Sequence, residues 1–79
     1  MKQEINEQDL EQVVGGTVYV NGTKMKISLT VLGKAYKLKN CEDYQVMGLV
    51  SQLYGQYKTK GDLAYETAVR DALSANGWI

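Results

Sequence analysis

The stretch that decides the fold is residues 17–31, TVYVNGTKMKISLTV, in which apolar and polar residues alternate on both sides of an Asn-Gly pair. Alternation with a period of two predicts β-strands, and Asn-Gly tolerates the positive φ angles of a type I′ turn. A two-residue turn would pair Val20 with Thr23 and Val18 with Met25. The stretch therefore predicts a β-hairpin with these residues on its apolar face: Val18, Val20, Met25 and Ile27.

The rest of the chain after the hairpin contains one strand candidate and two helix candidates. Residues 35–38 follow a Leu-Gly-Lys turn and are predicted to form a short third strand. Asn40 is predicted to cap a helix that carries apolar residues over 44–57. Thr59 or Asp62 is predicted to cap the last helix. The fold class is therefore α+β: a hairpin, extended to three strands if residues 35–38 pair with it, packed by two C-terminal helices.

The C-terminus carries a signal for the end of the last helix. Gly77 stands where a left-handed residue follows a helix, and Trp78 would then fold back on Leu73 in a Schellman motif. A specified hairpin and two capped helices favour a domain that folds in plain buffer. Its expected core combines the hairpin with both helices and the C-terminus: Val18, Val20, Met25, Ile27, Leu29, Leu49, Leu53, Val69, Leu73 and Trp78.

Length, charge and cysteine content limit what the chain can be. A chain of 79 residues supports a single domain with a modest core. The formal charge is zero but uneven: residues 1–16 have one lysine and four acidic residues, which is −3, and the remaining eight basic and five acidic residues give +3. Cys41 is the single cysteine, so no disulfide can form within the chain.

The acidic N-terminal segment ends in two glycines, Gly15 and Gly16, preceded by apolar residues at Ile5, Leu10 and Val13. This pattern resembles the double-glycine leader of bacteriocin precursors and related small secreted peptides of bacteria. The resemblance covers the first 16 residues. It implies that the papain-like peptidase domain of an ABC exporter recognises the apolar residues and cuts after the second glycine.

Physical reasoning supports this resemblance. At helical pitch, Ile5, Leu10, Val13 and Val14 fall on one half of a helix surface, so the segment can offer an apolar face to a groove. Glycines lack Cβ, which lets the backbone pass through a narrow peptidase cleft. The alternative is an amphipathic N-terminal helix of the fold that ends at the two glycines.

The expected organisation is a leader over residues 1–16 and a small secreted α+β domain over residues 17–79, with cleavage between Gly16 and Thr17. The N-terminus lacks a basic and apolar signal peptide, and no apolar stretch is long enough to span a bilayer. Secretion is therefore expected to use the exporter. The alternative function is an intracellular, non-enzymatic interaction module whose N-terminal helix belongs to the fold. Target, receptor and the choice between toxin and signal stay open.

The residues offer little for catalysis, metal binding or a cofactor. The chain has no histidine, which is the commonest general base and metal ligand. Cys41 precedes Glu42 and Asp43, whose charges would raise its pKa, while a helix N-terminus would oppose this. Cys41 is interpreted as structural. We expect no enzymatic activity, no catalytic residue, no metal site and no cofactor.

Six tyrosines raise the question of a binding surface. In the predicted hairpin Tyr19 lies opposite Lys24 and shares its face with Lys26, which makes these three the candidate surface contacts. Strand faces with lysine and aromatic residues can bind nucleic acid, but the glycine-aromatic pattern of such domains is missing and the net charge is zero. No nucleic acid partner is expected. Three tyrosines in the helices are expected in the core: Tyr44, Tyr54 and Tyr65.

Overall fold

The computed structural model describes residues 12–79. They form a four-stranded antiparallel sheet, with the strands in chain order, followed by two helices. The strands are β1 (Gln12–Gly15), β2 (Val18–Asn21), β3 (Lys26–Leu29) and β4 (Lys34–Lys37), and the helices are α1 (Asp43–Tyr57) and α2 (Asp62–Ala75). The predicted α+β fold is confirmed, and β1 is a strand that the sequence did not predict.

The core lies between one face of the sheet and the two helices. β2 and β3 each turn alternate residues towards the helices, because side chains alternate between the two faces of a strand. Burial follows this alternation except at Asn21, which is also buried at the end of β2. Both helices add buried residues to the core. The buried apolar side chains are Val18, Val20, Ile27, Leu29, Leu38, Val46, Val50, Tyr65, Val69 and Leu73.

The predicted register of the hairpin is wrong. Val20 lies opposite Ile27 rather than Thr23, because the loop between β2 and β3 has four residues, 22–25, instead of two. Met25 adopts a φ of 50° within this loop and is only partly buried. The shift of four positions is even, so it leaves each strand residue on the predicted face.

The loop is closed by a side chain rather than by a two-residue turn. The amide of Lys24 donates a hydrogen bond to Asn21 Oδ1 at 2.9 Å. An Asn side chain that accepts from a backbone amide a few residues on replaces the backbone bond of a tighter turn. The Asn-Gly pair therefore marked the position of the turn correctly but not its length.

The third strand and its turn are close to the prediction. β4 begins one residue earlier than expected and pairs with β3, so that Lys26 lies opposite Lys37. Gly33 has a φ of 69°, which suits the turn between these strands. β4 is an edge strand with a lysine at each end. Such charges oppose pairing with another sheet.

Both helices begin differently from the prediction. Glu42, and not Asn40, occupies the N-cap of α1, where Glu42 and Gln45 form a reciprocal capping box. Asn40 instead has a φ of 60° and donates from Nδ2 to the carbonyl of Gly77 at 3.3 Å. The N-cap of α2 is Gly61, so neither predicted cap fills this position.

The C-terminus folds back as predicted. The amide of Trp78 donates to the Leu73 carbonyl at 2.9 Å, and that of Gly77 donates to Ser74 at 3.0 Å. With Gly77 at a φ of 76°, these bonds complete the Schellman motif. Trp78 is partly buried against the core, and its carbonyl accepts a bond from the Lys39 amide at 2.8 Å. In residues 12–79 neither helix is long and apolar enough to cross a membrane.

Two glycines inside α1 give a direct test of this helix. Gly48 and Gly55 are exposed, and a Cβ added to either would meet nothing within 4 Å. Replacing either by alanine is expected to raise the free energy of unfolding by about 1 kcal/mol, measured by urea denaturation. Gly33→Ala is the control, because Gly33 has equal space but a positive φ. It should destabilise the protein by about 1 kcal/mol; the same sign at Gly33 and Gly48 would contradict this account.

Candidate processing site

The two glycines lie at the hairpin that joins β1 to β2. Gly15 is the last residue of β1 and lies opposite Val18, after a bulge in β1. Gly16 and Thr17 form the two-residue turn. The predicted cleavage bond, Gly16–Thr17, is therefore inside a turn of the folded sheet.

Gly15 is buried against two tyrosines of the helices. The Tyr65 hydroxyl donates a hydrogen bond to the Gly15 carbonyl at 2.8 Å. A Cβ on Gly15 would lie 2.8 Å from the Tyr65 hydroxyl oxygen and 2.9 Å from Tyr54 Cβ. The two rings meet edge to face, with centroids 5.5 Å apart and an interplanar angle of 70°. Close approach of β1 to these rings therefore requires glycine at position 15.

Gly16 meets a different requirement. Its φ of 55° lies in the left-handed region, which glycine enters without a steric penalty. Gly16 is exposed, but a Cβ there would lie 3.2 Å from Tyr54 Cε1. The fold therefore uses both glycines, the first for close packing and the second for its backbone conformation.

Thr17 is held from two sides. Its Oγ1 donates to the carboxylate of Glu66 on α2. Its carbonyl accepts from Thr30, through the hydroxyl at 2.8 Å and the amide at 3.4 Å. The residue after the predicted cleavage bond is thereby tied both to the helix layer and to the turn after β3.

Glu66 is fully buried, with no exposed surface. Besides the Thr17 hydroxyl, it accepts hydrogen bonds from the amides of Val31 at 3.1 Å and Leu32 at 2.9 Å. Such bonds replace the water that a buried carboxylate loses. Glu66 thus joins α2 to both the β1–β2 turn and the β3–β4 turn.

Burial also affects the hydroxyl that bonds Gly15. Desolvation raises the pKa of Tyr65 to about 12, and the charges of Glu66, Tyr54 and Asp62 add to this increase. A folded-state pKa above the ordinary 10 stabilises the protein fully below pH 10, and this contribution is lost as the pH rises through about 12. Tyr65 is therefore a hydrogen-bond donor at neutral pH.

The predicted leader recognition residues lie partly outside the described residues. Ile5 and Leu10 lie outside residues 12–79, which the structure describes. Val13 and Val14 belong to β1, so the helical interpretation of the segment is wrong for residues 12–14. Pairing of β1 with β2 satisfies the backbone of these residues, which a helix would have to satisfy within itself.

The candidate contact surface of Tyr19, Lys24 and Lys26 is rearranged. Tyr19 lies opposite Ser28, and Lys24 lies in the loop, so the predicted pairing of Tyr19 with Lys24 is wrong. Tyr19 and Lys26 do share the face of the sheet opposite the helices, as alternate residues of paired strands must. Lys37 joins them there, opposite Lys26.

The tyrosines predicted in the core differ in burial. Tyr65 is buried, whereas Tyr44 has 69% of its surface exposed and that expectation is wrong. Tyr54 is 38% exposed because one side of its ring covers Gly16 and Tyr65 while the other faces solvent. Apolar periodicity identified the helix but did not separate its core residues from those at its margin.

Cys41 is partly buried just before α1. Burial raises the pKa of its thiol, and the Glu42 carboxylate adds to the increase. A raised pKa leaves less of the reactive thiolate at neutral pH. Within residues 12–79 no three His, Cys, Asp or Glu side chains are grouped to hold a metal ion.

Comparison with known proteins identified no protein similar to this chain. No protein-family model, curated protein or solved structure matches the chain. The sequence did not assign to this site Tyr54 and Tyr65, which pack on the glycines, or Thr30 and Glu66, which bind Thr17. They lie far from the glycines along the chain, and no local pattern links them.

Replacing Gly15 by alanine tests the close contact. The added methyl group must displace Tyr65 or Tyr54, so we expect a loss of about 1–3 kcal/mol in the free energy of unfolding, measured by urea denaturation. Gly48→Ala is the matched control because its methyl group enters open space. Equal stability of Gly15→Ala and the unaltered chain would show that β1 does not pack against the tyrosines.

Proposed function

We propose that the chain is the precursor of a small secreted bacterial protein, bacteriocin-like or signalling, whose leader is removed after Gly16 by the peptidase domain of an ABC exporter. The observation that carries the proposal is the position of the double glycine relative to the core. After Gly16, β2, β3, both helices and Leu38 supply ten buried apolar side chains that pack together. The part of the chain that follows the glycine motif thus contains a hydrophobic core.

Removal of residues 1–16 would leave β2, β3, β4 and both helices together. It would remove the pairing of β1 with β2, the bond between Gly15 and Tyr65, and the packing of Gly15 on Tyr54. The apolar contacts of β2 and β3 with the helices would stay, and apolar burial is the larger source of stability. This supports residues 17–79 as the secreted product, a non-enzymatic domain.

The conformation of the cleavage bond adds a condition to the proposal. A narrow peptidase cleft has to enclose the backbone on both sides of the bond, but here Gly15 is buried and Thr17 is tied to Glu66 and Thr30. Gly16 between them is in a left-handed turn. Cleavage therefore requires β1 to detach from β2, either before folding is complete or by local opening.

Incubation of the full chain with a matching exporter peptidase domain tests the proposal. We expect a product that begins at Thr17, identified by intact mass. Gly16→Val should not be cut, even though its side chain would strain the turn and loosen β1. Cleavage at another bond, or equal cleavage of Gly16→Val, would refute the proposed function.

The rate of this cleavage tests the need for β1 to open. Tyr65→Phe deletes the bond to Gly15 and leaves residues 1–16 unchanged. The loss of about 1 kcal/mol should raise the open population, and hence the cleavage rate, about fivefold. Tyr44→Phe is the matched control because this hydroxyl is on an exposed residue. Equal rates for the two variants would show that β1 does not limit cleavage.

A second candidate function is an intracellular interaction module that keeps its N-terminal segment. The pairing of β1 with β2 and the buried Gly15 contact favour it, because both glycines already serve the fold. Its contact surface would be the outer face of the sheet, with Tyr19, Lys26 and Lys37. A neighbouring gene for an ABC exporter with a peptidase domain would favour the precursor over this module.

A further inference from the structure

Among residues 12–79, the buried carboxylate of Glu66 has hydrogen-bond donors around it but no cation. Its donors are the Thr17 hydroxyl and the amides of Val31 and Leu32. In the described part of the chain no ion pair joins a lysine or arginine to Glu66, and Arg70 on the same helix pairs with its neighbour Asp71. A fully buried carboxylate without a cation is costly, and a positive charge placed beside it would gain a strong interaction.

Cleavage at Gly16–Thr17 creates such a charge. Water adds across the peptide bond, the C–N bond breaks, Gly16 keeps a carboxylate, and the Thr17 nitrogen becomes an amine that takes up a proton near neutral pH. The Thr17 nitrogen is three bonds from Oγ1, so the two atoms are less than about 4 Å apart. Since Oγ1 already contacts Glu66, the new ammonium forms within about 7 Å of the carboxylate.

We infer that Glu66 is a binding site for the new N-terminus: after cleavage, the α-ammonium of Thr17 pairs with the buried Glu66 carboxylate. This inference rests on the proposed cleavage after Gly16. The pair would hold the start of β2 against α2 when the support of β1 is gone. The bonds from Thr30 to the Thr17 carbonyl keep the same residue in register with β3.

The geometry makes the site selective for the position of the cut. A chain that began at Gly16 would carry its ammonium one residue further away, about 3.8 Å along the chain and on an exposed residue. That charge would lie in water, where its attraction to Glu66 is weak. Both chains would keep the hydrogen bond from the Thr17 hydroxyl to Glu66. A difference in their stability would therefore come from the ammonium alone.

The experiment compares these two starts. In the first version of the full chain, residues 10–16 are replaced by the recognition sequence of an endopeptidase that cuts directly before Thr17. The second version has one glycine between the cleavage point and Thr17, so its product begins with that glycine. Both are cut in mild urea and refolded. Urea denaturation should give a folding equilibrium constant about tenfold higher for the chain that begins at Thr17, the lower end for a hydrogen bond to a charged group. Glu66→Gln should abolish this difference.

Titration of the α-ammonium by NMR gives a second measurement that does not depend on folding of the Glu66→Gln variant. The carboxylate should raise the amine pKa above its usual value of about 8 in the chain that begins at Thr17, and not in the chain with the added glycine. Tyr54 and Tyr65 also face the turn, and Asp62 lies near Tyr65. The Tyr65 pKa of about 12 keeps that hydroxyl neutral in this range.

The inference would be overturned if the two chains were equally stable and the α-amine of Thr17 had its ordinary pKa. It would also be overturned if the cut chain did not refold. The endopeptidase in this experiment is independent of the exporter. A chain that the exporter peptidase does not cut would therefore refute the proposed function without affecting this result. An exporter product with an ordinary amine pKa would refute only the pairing with Glu66.

Discussion

The carboxylate of Glu66 is the interaction on which the arrangement of the turns depends. It lies on α2 and accepts bonds from Thr17 in the turn before β2 and from Val31 and Leu32 in the turn after β3. Because an uncompensated buried carboxylate is costly, its donors must stay in place when the protein folds. One side chain of α2 thereby fixes the same end of the sheet at two points.

The double glycine lies directly beside this anchor. Gly15 packs under the Tyr54 and Tyr65 rings, Gly16 takes the left-handed turn, and Thr17 reaches Glu66. The features that make two glycines suitable for a narrow peptidase cleft, the missing Cβ and the free backbone, also make them suitable for this turn. A role in processing and a role in folding are therefore compatible in the same residues. The proposed peptidase would act only when β1 is withdrawn from the sheet, whereas the fold needs β1 paired.

The hairpin shows how far local sequence patterns reach. Period-two alternation assigned Val18, Val20, Met25 and Ile27 to one face. Val18, Val20 and Ile27 are buried there together with Leu29, whereas Met25 lies in the loop and is only partly buried. The Asn-Gly pair suggested a two-residue turn, yet the loop has four residues because Asn21 Oδ1 binds the Lys24 amide. The face of the sheet that a residue occupies depends on whether its position along the strand is odd or even. The residue with which it pairs depends on the length of the loop and on the partner strand. For the same reason the pairing of Tyr19 with Lys24 was wrong although the face of Tyr19 and Lys26 was right.

The amino-acid sequence by itself determined the α+β class, the faces of β2 and β3, the approximate extent of the helices and the Schellman end at Gly77 and Trp78. These depend on interactions within a few residues, which periodicity and capping patterns record directly. Only the tertiary structure decided that β1 joins the sheet, that Tyr65 bonds Gly15 and that Glu66 holds Thr17. The Tyr65 and Glu66 contacts join residues about 50 positions apart, and they exist because packing of α2 on the sheet brings them together.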